Sequence, residues 1–73
     1  MNPPIRNKIQ NEANVRGMTI KELLTSTVAQ EGTIFSAARV LNVHPNAVHY
    51  QMKRHGLIAV RSQGRTELVE QAS

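Results

Sequence analysis

At 73 residues and 8.1 kDa the chain amounts to one small domain, too small for a catalytic scaffold of ordinary size. It has no cysteine, which excludes disulfides and thiolate metal sites, and its formal net charge of +4 favours polyanionic partners. The longest apolar run, Leu57-Ile58-Ala59-Val60, falls far short of a membrane span or a signal-peptide core, so a cytoplasmic location without a membrane partner is expected.

The chain opens on Asn2-Pro3-Pro4, residues suited to a helix cap and first turn. Ile5, Ile9 and Ala13 then recur at intervals of four, a narrow stripe that one packed helix can bury. Asn11, Asn14 and Gly17 work against a long helix, so residues 1–17 read as a short helix or an N-terminal arm. The next helix is better bounded. Thr19-Ile20-Lys21-Glu22 fits a capping box, and Met18 and Leu23 stand at the hydrophobic-staple positions around it. Ile20, Leu23, Leu24, Thr27 and Val28 form its buried face, and Gly32 stands where a left-handed cap ends a helix.

The segment from Gly32 to Leu57 carries the most information. Ile34, Ala37, Ala38 and Leu41 follow an i, i+3, i+4, i+7 spacing that lines one helical face. A three-residue break, Asn42-Val43-His44, separates this helix from one that His44 or Val43 caps and Pro45 starts. Val48 and Met52 face inward, Gly56 ends the helix, and Leu57 is placed to touch Met52. Two helices joined by so short a turn cross steeply, and Ala37 and Ala38 supply the small side chains that such a crossing needs. This is a helix-turn-helix. Phe35 and Val40 lie on the flanks of the stripe and are expected to pack, since so small a core uses every apolar residue it has, the alternative being part of an exposed protein-binding patch. Beyond it, Leu57–Val60 docks on the core or pairs as a short strand, and the polar stretch that follows reads as a tail. The expected fold is therefore all-α: three to four helices, with a helix-turn-helix domain over residues 18–60 and a flexible tail over 61–73.

Charge coincides with the motif. Residues 32–66 hold Arg39, Lys53, Arg54, Arg61 and Arg65 and no acid, whereas Glu12, Glu22, Glu31, Glu67 and Glu70 all lie outside. An acid-free basic half over a helix-turn-helix is the footprint of a polyanion binder. If the second helix entered a major groove, Asn46, His49, Tyr50 and Lys53 would face the bases, while Arg39, Arg54 and Arg61 would hold phosphates. His44, His49 and His55 are spaced by five and six residues, which does not stack metal ligands on one helical face. No nucleophile–base pair or glycine-rich phosphate loop is present, and Ser36 reads as structural. No catalytic residue, metal, cofactor or small-molecule substrate is expected.

With Gly32, Ala37-Ala38, Val43, Val48, Met52 and Lys53-Arg54-His55-Gly56-Leu57 in place, the segment resembles the helix-turn-helix of the Fis family and related bacterial enhancer-binding activators. The likeness covers about a third of the chain and implies the fold, with double-stranded DNA as its default partner. The paired long helices of the Fis dimer have no counterpart here. The outer face of the second helix also departs from that family, which often carries Arg, Lys, Ser or Thr where this chain has His44, Asn46, His49, Tyr50 and Lys53. Asn42 replaces the usual turn glycine and tolerates the same left-handed backbone.

In its length and its opening Met1-Asn2-Pro3-Pro4-Ile5-Arg6 the whole chain also resembles the small RNA polymerase-binding transcription regulators of lytic bacteriophages that infect Xanthomonas. That resemblance implies a different partner, host RNA polymerase contacted at its β′ subunit. It also implies inhibition of initiation by dislodging the sigma factor, and read-through of terminators. The protein-binding residues expected under it are Ile5, Arg6 and Ile9 together with Leu57, Ile58 and Arg61, apolar or basic groups outside the helix-turn-helix stripe. The alternative is a sequence-specific DNA-binding repressor or activator, which needs a dimer because one such module buries little surface.

Overall fold

The computed structural model describes residues 8–71. Four helices, α1 (Lys8–Arg16), α2 (Ile20–Glu31), α3 (Ile34–Leu41) and α4 (Pro45–Arg54), are followed by two strands, β1 (Leu57–Ser62) and β2 (Arg65–Glu70). Among these residues no helix is long and apolar enough to cross a membrane.

The helix boundaries have local causes. The Thr19 side chain accepts from the Glu22 N–H at 3.1 Å and the Glu22 carboxylate accepts from the Thr19 N–H at 3.0 Å, which completes the capping box of α2. Thr33 caps α3 in the same way, accepting from the Ser36 N–H at 3.0 Å. Asn42 takes φ 60°, ψ 45° at the end of α3, so that Val43 N–H reaches Ala38 O at 3.0 Å and Asn42 N–H reaches Arg39 O at 3.1 Å. That is a Schellman closure, and it sets the turn of the helix-turn-helix.

The core is built on α2. Leu23, Leu24 and Val28 are fully buried, and Ala37, Ala38 and Val48 of the helix-turn-helix close over them with no exposed surface of their own. Ile9 and Ala13 of α1 belong to the same core, so α1 is part of the domain and not a separate arm. The helical start expected at Pro3-Pro4 lies outside the described residues.

The fold is mixed α/β and not all-α, because the segment expected to be a tail is half of a hairpin. β1 and β2 pair antiparallel from Leu57↔Glu70 to Ser62↔Arg65, which leaves Gln63-Gly64 as a two-residue turn. Both turn residues have positive φ, 52° and 78°, the requirement of the turn whose twist suits a hairpin. Thr66 and Leu68 alternate inward with exposed Arg65, Glu67 and Val69, a strand period in a stretch too polar to look like one. The hairpin forms because the helices alone leave α2 uncovered on one side, and Leu57 and Leu68 complete its burial. Residues 61–70 are thus ordered structure, and the boundary expected at residue 60 falls inside β1.

Leu68→Ala is expected to destabilise the protein by about 2–5 kcal/mol, enough to unfold much of a domain this small. Val69→Ala, one residue away on the exposed face, is expected to change stability by less than about 0.5 kcal/mol. Urea denaturation followed by far-UV circular dichroism distinguishes the two, and equal small effects would contradict a hairpin packed on the core.

Candidate functional site

Helix α4 stands as a ridge. Val48 and Met52 point into the core, which turns Asn46, His49, Tyr50 and Lys53 (spaced i, i+3, i+4, i+7) into one exposed stripe. The helix starts where it does because Pro45 fills the first position and His44 caps it. The His44 Nδ1 accepts from the Asn46 N–H at 3.1 Å, so the proton of the neutral ring sits on Nε2. Arg54, one turn beyond Tyr50, donates to its hydroxyl at 3.4 Å, and its guanidinium lies 6.0 Å from the ring centroid. Tyr50 and Arg54 therefore form one aromatic–cation unit on the side of the ridge.

A groove runs along each flank. On one side His49, Met52 and Lys53 of α4 face Ile58 and Ala59 of β1 across a space of about 380 Å³. On the other, a larger cleft of about 630 Å³ opens between α4, the start of α1 and the start of α2. Ile9, Ile20, Val43 and Ala47 contribute apolar surface to this cleft, and Lys8, His44, Tyr50, Arg54 and His55 supply its polar groups.

The structure gathers only part of the expected set. Asn46, His49, Tyr50, Lys53 and Arg54 share the exposed side of α4, and Arg61 lies on β1 one pair from the hairpin turn. Arg39 stands apart, sharing a shallow depression on α2 and α3 with Glu31, Ser36 and Val40. Arg65, counted in the basic half, donates from its guanidinium to Ala29 O at the end of α2. Of the residues expected to bind protein, Ile9 and Leu57 are core, 3% and 4% exposed, so neither projects from the surface, and only an edge of Ile9 reaches the larger cleft. Ile58 is exposed on the outer face of the hairpin beside Val60 and opposite Val69. Ile5 and Arg6 lie outside the described residues.

Phe35 and Val40 do not pack as expected; they are 64% and 51% exposed. Ala37 and Ala38 bring α3 close to its neighbours on one face and turn the bulky residues outward. Sequence reasoning also missed Lys8 and Gln51 as members of the larger cleft. That cleft exists only because α1 packs back against α2 and α3, with Lys8 Nζ donating to Asn42 O at 3.4 Å in the turn that leads into α4. No local pattern signals such a contact. Among the described residues no three His, Asp or Glu side chains converge on a metal-binding geometry.

No family model matches the chain, and neither the curated proteins nor the solved structures give a match.

His44→Ala is expected to cost about 1 kcal/mol by removing the cap of α4, whereas His44→Asp retains it. Thermal denaturation of the two variants checks this, and equal losses would mean that the imidazole does not act as the cap.

Proposed function

We propose that the chain is a transcription regulator that acts by binding host bacterial RNA polymerase, inhibiting initiation and promoting terminator read-through. The observation that carries this reading is the character of the exposed surface. Phe35 and Val40 on α3, Tyr50 on α4, and Ile58, Val60 and Val69 on the hairpin all face solvent. Large aromatic and branched apolar groups exposed in such number suit a protein interface, where aromatic residues and arginine are enriched. The α4 stripe, by contrast, holds a single permanent cation, Lys53, among neutral or aromatic side chains. The whole-chain resemblance to phage regulators points the same way and suggests the β′ subunit as the surface contacted. Binding to the enzyme places the site of action in the bacterial cytoplasm.

The second reading, a dimeric double-stranded DNA-binding repressor or activator, is favoured by one specific feature. The hairpin sets Arg61 on β1, the strand that faces Lys53 of α4 across the smaller groove, so ridge and strand each carry a cation that a duplex could meet. A hairpin beside a recognition helix can serve as a phosphate clamp.

Purified host polymerase immobilised on a biosensor tests the first reading directly. The wild-type protein is expected to bind, Phe35→Ser to bind at least about tenfold more weakly, and Lys53→Glu to bind within about threefold of wild type. Fluorescence anisotropy with a mixed-sequence duplex runs alongside. Tight site-specific duplex binding with no polymerase contact would overturn the proposal in favour of the second reading.

A further inference from the structure

The larger flank of α4 has a chemistry that neither groove-reading nor a generic apolar patch explains. We propose that the cleft between α1, α2 and α4 docks an acidic peptide segment of the partner protein, one that carries an apolar anchor. This inference rests on the reading of the chain as a protein-binding regulator and names the kind of segment it captures.

Three features of the cleft lead there. First, its shape is concave, with about 630 Å³ available. Duplex DNA is read by convex elements that enter its grooves, whereas a concave cleft receives side chains or an extended chain. Second, its fixed charges are of one sign, with Gln10 and Gln51 as neutral polar neighbours. Lys8 and Arg54 are fixed cations, His44 and His55 add imidazoles, and no carboxylate lines the cleft among the described residues. Two acids of the neighbouring elements are engaged elsewhere, and the third, Glu31, lies at the opposite end of α2 from the cleft. Glu12 of α1 pairs with Arg16 at 2.7 Å, and Glu22 of α2 is held in the capping box by Thr19. Third, its apolar surface is already in place. Ile9 and Ile20 are held in the core, while Val43 and Ala47 pack against it half-buried, so an anchor side chain meets a rigid surface.

Cations above an apolar floor select for carboxylates next to a hydrophobic side chain. A free phosphate or a bare polyanion uses only the first half of that pattern, and a neutral apolar peptide only the second. Arg54 is oriented by its contact with Tyr50, so less side-chain freedom is lost when a carboxylate arrives. Tyr50 in turn offers its ring to the anchor from the crest side of the cleft.

The test uses three fluorescein-labelled peptides of about ten residues. One alternates Glu and Asp with Leu and Phe, the second replaces its acids by Lys, and the third replaces its apolar residues by Ser. The first is expected to bind with a micromolar Kd and the other two at least about tenfold more weakly. The double variant Lys8→Glu, Arg54→Glu is expected to lose the first peptide by a further tenfold or more, roughly, since each exposed charge reversal acts locally. Lys21→Glu makes each change of the same kind on the far side of α2, beside Glu70, and is expected to leave peptide binding unaltered.

Equal binding of the Ser-substituted acidic peptide, displacement of the first peptide by duplex DNA, or no binding at about 100 μM would each overturn the proposal. The same double variant separates this inference from the reading beneath it. Unchanged polymerase binding by Lys8→Glu, Arg54→Glu overturns the cleft and leaves the polymerase reading intact. Peptide capture by a wild-type protein that ignores polymerase leaves the cleft and overturns the polymerase reading.

Discussion

The carboxyl end of α2 is the joint on which the rest of the arrangement depends. A helix leaves its last carbonyls without intrahelical partners, and here the hairpin provides some of the missing donors. Gly32, left-handed at φ 84°, returns its N–H to Val28 O at 2.7 Å, and its own carbonyl accepts from the Thr66 N–H at 2.7 Å. The Arg65 guanidinium donates to Ala29 O, a cation at the negative end of the helix dipole. With those bonds in place Leu57 and Leu68 fall against α2, and the Lys21–Glu70 pair at 3.0 Å closes the far end of β2. The exposed ion pair adds little by itself. The backbone and guanidinium contacts decide where the hairpin lies, and therefore that α4 has a flank of its own on the β1 side.

That joint changes what the basic half of the chain can do. Five cations and no acids between residues 32 and 66 suggest an unbroken polyanion surface. Arg65 serves α2, and Arg39 sits beside Glu31 away from α4, so of the five cations Lys53, Arg54 and Arg61 are left for a duplex. Three neutralised phosphates correspond to a salt slope of about −2.7, against the six to ten contacts, roughly, that tight DNA binders make. A single copy is thus weakly equipped for a duplex, however clear its helix-turn-helix.

The parts legible in the sequence are those whose signals are local. The capping box at Thr19 and Glu22, the left-handed Asn42 and Gly32, Pro45 at the start of α4 and the paired alanines each act within a few residues, and each takes the form expected of it. The hairpin escaped because β2 is Arg-Thr-Glu-Leu-Val-Glu, whose single buried leucine and buried threonine read as polar disorder until α2 is there to receive them. Its turn was also disguised, since Gln63 takes a positive φ that asparagine or aspartate commonly occupies in such turns. The site was half legible for the same reason. The stripe on α4 follows from helical spacing, but the cleft beside it depends on Lys8 meeting Asn42 across 34 positions of sequence.

The exposed phenylalanine is the point at which packing and function meet. Close approach of α3 to its neighbours requires Ala37 and Ala38 on the buried face, and a helix that buries those two positions turns Phe35 toward solvent. Phe35 is therefore not a core residue displaced by crowding; the geometry that makes the helix-turn-helix compact excludes it from the core. Facing water it brings no burial energy to the fold, and with Val40, Ile58, Val60 and Val69 it adds apolar surface that favours association. A DNA-reading module has little use for that surface, since phosphate and base contacts are made by polar groups. Under the polymerase-binding proposal a large protein partner would turn it into buried interface, with the same helix-turn-helix scaffold holding apolar contacts, an aromatic–cation pair and a basic cleft at fixed distances from one another.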